Sequence, residues 1–160
     1  MKDNAPASAR SDEHWMREAL ALACEAEHAG EVPIGALIVL NGEVIGRGFN
    51  HSIAESDPSA HAEIIALREA GRRRKNYRLE GCELFATIEP CAMCAGAMVH
   101  ARIERLIYGA DDAKAGAVRS VLQVVNHQAL NHRIEVTRGV LAEECSRLLQ
   151  DFFRSRRVRE

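Results

Sequence analysis

Short apolar segments typical of strands alternate along this chain with segments of helical periodicity, and this alternation limits the fold more than any other feature. The predicted order is helix, strand, strand, helix, strand, helix, strand, strand, helix. The first two predicted strands flank Asn41-Gly42, which is the strongest short-range signal for a β-hairpin. Strands that alternate with helices form a sheet with helices on both faces. The sequence therefore predicts an α/β fold.

Capping and turn residues set approximate limits for the predicted elements. Ser11 is the expected N-cap of the first helix, which Gly30 closes. The second helix begins near His61 and stops at Gly71, and Pro90 opens the third. The predicted strands are 34–40, 44–50, 84–88, 105–109 and 134–137, and a last amphipathic helix begins at Leu141.

The length and charge of the chain limit the number of domains and exclude some classes of protein. A chain of 160 residues suits one domain. Residues 1–10 are polar and without periodicity, so we expect a disordered tail followed by a single domain over 11–160. The net charge of −2 excludes a protein that coats nucleic acid through its overall charge. The apolar runs fall far short of the ~20 residues of a membrane span, and the N-terminus lacks the pattern of a secretory signal.

The five cysteines carry two different interpretations. An odd number argues against a disulfide framework, so we expect a cytoplasmic protein. Cys24 and Cys145 lie on apolar faces of predicted helices, where cysteine is a small buried residue. Cys82 has the same structural interpretation. Only Cys91 and Cys94 are close to each other in sequence.

The spacing of Cys91 and Cys94 predicts a metal site. At the start of a predicted helix, side chains three residues apart share one face, and the free N–H groups there stabilise thiolates. His61, at the start of another predicted helix, can supply a third ligand. Three protein ligands leave one position open, which distinguishes a catalytic zinc site from a closed structural one. We therefore expect one catalytic zinc ion per subunit.

Glu63 lies too near His61 in sequence for both side chains to share a helix face. It is expected to carry protons beside the metal rather than to bind it. The alternative is a structural zinc site with Cys82 or His100 as fourth ligand and Glu63 on the surface, although neither has the usual tight spacing to a partner. H-x-E followed by P-C-x-x-C, with both at predicted helix starts, is the known signature of zinc-dependent nucleobase deaminases.

Longer stretches of the chain extend this match. They are EVPIGALIV, DPSAHAEIIALREA, EPCAMCAGAMVHARI, YGADDAKAGA and LLQDFFRSRR. Over residues 11–157 the sequence resembles the cytidine-deaminase-like superfamily and, within it, the bacterial tRNA-specific adenosine deaminases. The resemblance implies a three-layer α/β/α sandwich with a five-stranded mixed sheet. It also implies a homodimer in which loops from one subunit complete the other's site.

The resemblance further implies a reaction and its residues. The reaction is hydrolytic deamination of the wobble adenosine to inosine in a tRNA anticodon, typically that of arginine tRNA with anticodon ACG. A zinc-bound hydroxide would attack the base while Glu63 shuttles protons. Asn50 would contact the base edge, and the backbone N–H of Ala62 would lie near the reacting carbon. Val32 and Ile34 would form the pocket wall.

A tRNA anticodon stem-loop as partner requires positive charge along its approach. Arginines cluster after the second predicted helix and again at the C-terminus. Charge runs are commonly solvated faces, so neither cluster decides the matter alone. The resemblance favours the C-terminal cluster, with Phe153 and Arg156 near the loop bases and with Asp112 and Lys114 as further RNA contacts.

The chain departs from the family pattern at Val118-Arg119, where small residues are usual, and at Phe49, where Trp is common. Two other functions stay open. The first is deamination of a free base or nucleoside by the same fold, with guanine as the leading substrate. The second is a catalytically silent zinc module that binds RNA, against which Glu63 argues. The aromatic and basic end DFFRSRR favours an RNA substrate.

Overall fold

A five-stranded sheet lies between two layers of helices in the computed structural model, which describes residues 10–158. Its order is β2-β1-β3-β4-β5, in which β1 runs antiparallel to both neighbours and β3, β4 and β5 run parallel. The elements are α1 (Asp12–His28), β1 (Gly35–Leu40), β2 (Glu43–Phe49), α2 (Ala62–Arg74), β3 (Glu83–Ile88), α3 (Ala92–Ala101), β4 (Arg105–Ala110), β5 (Glu135–Arg138) and α4 (Ala142–Arg157). The predicted three-layer sandwich with a mixed sheet is confirmed.

Local signals place most of these elements correctly. The Ser11 side chain accepts the N–H of His14 (3.2 Å) and so caps α1 as predicted. Asn41 and Gly42 both have positive φ angles (50° and 78°), as a type I′ turn requires. Of the predicted tail, only Arg10 belongs to the described residues.

Two expectations are wrong. The α2 helix continues through Gly71 to Arg74, because a glycine inside a helix costs only about 1 kcal/mol and tertiary packing outweighs it. Cys24 is exposed. The buried stripe of α1 passes through Ala23, and the next residue is turned about 100° away from it. Cys82 and Cys145 are buried as predicted.

Each face of the sheet has its own core. On β1, Ala36 and Ile38 pack with α2 and α3, whereas Leu37 and Val39 pack with α1 and α4. This division follows from the alternation of side chains along a strand. No helix within residues 10–158 is both long enough and apolar enough to cross a bilayer.

Small residues let α2 lie close against β2. Gly46 faces the helix so closely that a Cβ atom there would collide with the carbonyl oxygen of Ala66 and lie 3.1 Å from the Cβ of Ala70. Both alanines are fully buried. Because helix and strand touch through their backbones, the distance between α2 and the sheet is fixed at this point.

We expect Gly46→Ala to lower the free energy of unfolding by about 2 kcal/mol, because a rigid backbone surrounds the added methyl group. Gly71→Ala is the matched control in α2. Its Cβ would meet only the carbonyl oxygen of Asn76, at 3.6 Å, so stability should be unchanged or rise by up to about 1 kcal/mol. Urea unfolding followed by circular dichroism measures both. A Gly46→Ala variant as stable as the parent would contradict this packing.

Candidate metal centre and active site

The predicted site segments meet at one edge of the sheet. The β1 strand begins at this edge, and β2, β3 and β4 end there, directly before Asn50, Glu89 and Asp111. Gly35 donates its N–H to Oγ1 of Thr87 across the edge (3.2 Å). The carboxyl ends of parallel strands are where α/β sheets place their ligand sites.

His61 and Cys91 are the N-cap residues of α2 and α3. An N-cap side chain usually accepts an N–H of its own helix, but neither of these does so. Asn50 takes over this role at α2, since its Oδ1 accepts the N–H of Ala62 (2.8 Å). The imidazole of His61 and the thiol of Cys91 make no capping bond to their own helices, so they can face each other.

The three predicted metal ligands come together. Nδ1 of His61 lies 3.6 Å from Sγ of Cys91 and 3.6 Å from Sγ of Cys94. A tetrahedral zinc ion, with bonds of about 2.3 Å to sulfur and about 2.0 Å to nitrogen, holds such atoms about 3.5 Å apart. All three ligand atoms lie within 4.8 Å of one another. Their spacing and chemistry fit a tetrahedral metal ion.

The alternative of a closed structural site lacks its fourth ligand. Within residues 10–158, the cluster consists of His61, Cys91 and Cys94 alone. Cys82 precedes β3 at the opposite edge of the sheet, where its sulfur lies 4.0 Å from the guanidinium of Arg74. His100 is exposed near the end of α3. A tetrahedral ion held by these three side chains would keep one coordination position for solvent or substrate.

The protonation of the sulfur atoms is strongly coupled. Hydrogen bonding to Cys94, and then to His61, lowers the pKa of the Cys91 thiol to about 3. The adjacent Cys91 sulfur, together with burial, raises the pKa of Cys94. Hydrogen bonding to Cys91 also raises the pKa of His61. Two sulfurs this close are both thiolates only when a cation compensates their charge, and a bound divalent metal does so.

Glu63 lies in the first turn of α2 and is 4 % exposed. Burial raises the pKa of its carboxyl group, and a hydrogen bond with Cys94 opposes this shift. A buried carboxyl beside metal ligands is suited to hold and release protons during a reaction. The predicted acid–base residue therefore lies against the cluster.

The predicted pocket residues adjoin this cluster. Asn50 is buried, and its backbone N–H donates to the carbonyl oxygen of Ile34 (3.3 Å). Val32 and Ile34 are half-buried. The N–H of Ala62 is engaged with Asn50, whereas no hydrogen bond within the described chain uses Nδ2 of Asn50. The amide of Asn50 is thus fixed in orientation and keeps one free donor group.

Three of the predicted RNA contacts line one cavity of about 510 Å³ at this edge. Its lining residues are Lys114, Gln150, Phe153, Arg156 and Arg157. Asp112 is not among them. Its Oδ1 accepts the N–H groups of Lys114 and Ala115 and so shapes the turn. Residue 159 of the C-terminal cluster lies outside the described residues.

Arg156 has contacts of its own. Its guanidinium donates to the carbonyl oxygen of Gly30 (2.6 Å) and lies 4.5 Å from the ring centre of Phe152. It therefore joins α4 to the segment that leads into β1. Phe153, by contrast, is 45 % exposed, and its ring lies 5.4 Å from that of Phe152 in a T-shaped arrangement.

Glu31 holds one of the loops beside the site, although its sequence position did not single it out. It is buried and accepts the N–H groups of Ile53 (3.1 Å) and Ala54 (2.8 Å). These bonds anchor the loop between β2 and α2. The sequence signal for Glu31 is its position: it is an acidic residue two positions before Pro33, just ahead of an apolar strand.

Glu89 is a second buried carboxylate that lies outside the motifs of the sequence. Burial alone would raise its pKa, but hydrogen bonds from the backbone of Arg119, from Ser120 and from Asp112 hold the pKa at about 2. The carboxylate is therefore ionised at neutral pH. Its place between the end of a strand and Pro90 is the sequence signal.

Both departures from the family pattern have visible partners. Arg119 pairs with Asp111 (2.8 Å), which also binds Arg138 (3.2 Å). Phe49 stacks on the ring of His51, with 4.3 Å between ring centres. Neither residue belongs to the metal cluster.

A family model described as MafB19-like deaminase matches residues 10–157. A tRNA-specific adenosine deaminase of Haemophilus influenzae is 51 % identical to this chain, over 97 % of this chain and 90 % of its own length. This chain belongs to the tRNA-specific adenosine deaminase family. The family recognised from the motifs is thereby confirmed, and the chain is a deaminase.

Several solved structures have a fold similar to that of this deaminase. One, from a study of A-to-I editing by tRNA:A34 deaminases at the wobble position of transfer RNA, matches with a TM-score of 0.82 and 43 % identity, covering 85 % of this chain and 99 % of that one. A guanine deaminase of Bacillus subtilis matches with a TM-score of 0.63 and 31 % identity, covering 92 % and 94 %. The deaminase is more similar to the first.

We expect Cys91→Ser to lower the metal affinity of this deaminase by at least about tenfold, because one thiolate ligand is lost. Cys24→Ser is the control, since Cys24 is exposed on α1 and lies outside the cluster. Metal per chain, measured by mass spectrometry after dialysis against a chelator, should fall only in the first variant. Full metal content in Cys91→Ser would rule out its role as ligand.

Proposed function

We propose that this deaminase hydrolyses the wobble adenosine of a tRNA anticodon to inosine and releases ammonia. Arginine tRNA with anticodon ACG is its expected substrate. The observation that carries the proposal is the cluster of one imidazole and two sulfurs at tetrahedral spacing, with the buried Glu63 against it. The relatives in sequence and in structure act on tRNA adenosines by name and supply the substrate class.

The metal in this proposal is one zinc ion per subunit. Two thiolates and an imidazole suit zinc, whereas magnesium and calcium prefer oxygen ligands. When bound by His61, Cys91 and Cys94, zinc supplies Lewis-acid activation of a water nucleophile.

Glu63 carries the protons of the reaction. Its carboxylate accepts the proton of the attacking water and passes it to N1 of adenine, which makes C6 open to addition. It then moves the second proton of that water to the exocyclic amine, so that ammonia leaves and the carbonyl of inosine forms. One carboxyl group serves every transfer because donor and acceptor atoms lie around the same carbon.

Asn50, Val32 and Ile34 position the base in this proposal. The free Nδ2 of Asn50 donates to the base edge while its Oδ1 stays on Ala62. The half-buried Val32 and Ile34 provide apolar contact for the purine. The target base must leave its stack to reach this site, which costs little in a single-stranded anticodon loop.

The cavity between Lys114 and α4 supports RNA rather than a free base as substrate. Lysine and arginine suit phosphate groups, and the exposed Phe153 offers a face on which an unpaired base stacks. A guanine deaminase has no need of such a surface. A silent RNA-binding module would have no need of Glu63.

A homodimer is the proposed assembly. An apolar groove of about 800 Å³ lies between α2 and α3, where Ile64, Leu67 and Ala97 line it beside the exposed Tyr77. Both helices begin at metal ligands, so a second copy covering this groove would lie close to the site.

Light scattering should give twice the 17.7 kDa of one chain, and a mass of one chain would contradict the dimer.

Cytoplasm is the proposed compartment, because the ligand thiols must stay reduced to bind metal.

The test is a substrate panel with purified protein: an ACG-anticodon arginine tRNA transcript, the same transcript with guanosine at the wobble position, free adenosine and free guanine. We expect inosine and ammonia from the first alone. Glu63→Gln should keep its metal and lose at least about 100-fold in kcat, since the proton carrier is gone. Glu25→Gln, on the exposed side of α1, is the control. Turnover of guanine but not of tRNA would refute the proposal.

A further inference from the structure

Glu89 connects the candidate metal centre to residues 112–120, called the 112–120 segment below. It follows β3 directly and is separated from the ligand Cys91 only by Pro90. We propose that Glu89 is a positioning residue that holds the 112–120 segment in the shape that receives tRNA. This inference rests on the proposed function.

Both oxygens of Glu89 are used. Oε2 accepts the backbone N–H groups of Val118 (3.1 Å), Arg119 (2.9 Å) and Ser120 (3.0 Å). Oε1 accepts the N–H of Asp112 (3.1 Å) and the hydroxyl of Ser120. One side chain therefore binds both ends of the segment.

The fit around this carboxylate is tight. Glu89 is 3 % exposed. Gly116 lies directly over it, and a Cβ atom at that position would collide with the carboxylate carbon and both oxygens. No lysine or arginine side chain within residues 10–158 pairs with Glu89, so its charge is balanced by the backbone N–H groups of the segment. Displacing the segment would therefore strip a buried anion of its partners.

The other bonds of the segment do not attach it in the same way. Gly116 donates to the carbonyl oxygen of Asp112 (2.9 Å), which closes the turn on itself. Ala117 donates to the carbonyl oxygen of Pro90 (2.8 Å), and its own carbonyl oxygen accepts the N–H of Val124 (2.9 Å). The guanidinium of Arg119 binds Asp111 (2.8 Å). Glu89 is the side chain that ties both ends of the segment to the end of β3, and it accepts five hydrogen bonds from them.

The middle of the segment faces the surface that supports RNA binding. Lys114 lies between the two anchored ends and lines the same cavity as Phe153 and Arg156. An exposed lysine on a free loop would sample many positions, whereas both ends of this loop are held at the metal centre. Glu89 therefore sets the position of Lys114 relative to the reacting base without touching the base.

Glu89→Gln tests this role with little change in shape. The glutamine oxygen can serve Val118, Arg119 and Ser120, which leaves its NH2 group against the N–H of Asp112. We expect KM for the ACG tRNA to rise about tenfold with kcat within about twofold and metal content unchanged. Hydrogen exchange at the amide of Asp112 should become faster.

Two further variants separate positioning from general destabilisation. Gly116→Ala disturbs the same contact from the other side, so it should raise KM in the same way. Asp12→Asn removes a carboxylate that binds Arg105 (2.6 Å) at the opposite edge of the sheet. It should lower stability and leave KM unchanged.

The outcomes are distinct. An unchanged KM in Glu89→Gln and Gly116→Ala, despite faster exchange in the segment, would overturn the positioning role. Loss of metal in Glu89→Gln would overturn it as well, since Glu89 would then act on Cys91. If the parent protein does not deaminate the tRNA, the proposed function fails, and so does the claim that Glu89 shapes the segment for tRNA. Comparing amide exchange at Asp112 between the parent and Glu89→Gln then still decides whether Glu89 holds the segment.

Discussion

Two helices begin at the same point in space, and the rest of the site depends on this convergence. The N-caps His61 and Cys91 leave their side chains free of local capping, and Cys94 adds a second sulfur from the first turn of α3. The 3.6 Å spacing of nitrogen and sulfur matches a tetrahedral ion. The helix starts also favour the thiolates, through the N–H groups that a helix leaves unpaired.

The sheet makes this convergence possible, and buried carboxylates complete it. Gly46 brings α2 against β2, and the parallel strands β3 and β4 carry their following loops to the same edge. Glu31 and Glu89 then hold the loops on either side of the cluster through backbone N–H groups. The clustered imidazole and sulfurs thus lie at helix starts, whereas the neighbouring loops are fixed in place by charged hydrogen bonds.

The sequence predicted the fold class and the clustering of His61, Cys91 and Cys94 because both leave periodic or spaced signals. The cluster follows from two short motifs, and the sandwich follows from alternating elements. Glu89 was missed because its partners are backbone N–H groups, which have no signature in side-chain type. Cys24 was placed on the wrong side of α1 because an alanine-rich helix has no sharp boundary between its apolar and polar faces. The hydrogen bond from the N–H of Ala62 to Asn50 could be found only from the structure, because the two residues are twelve positions apart.

The most direct test of the central claim is X-ray absorption at the zinc edge of the purified, zinc-loaded protein. Two sulfur atoms at about 2.3 Å and two nitrogen or oxygen atoms at about 2.0 Å are expected, one of them from solvent. A third sulfur in the coordination shell, or a shell completed by a second imidazole, would contradict an open catalytic site.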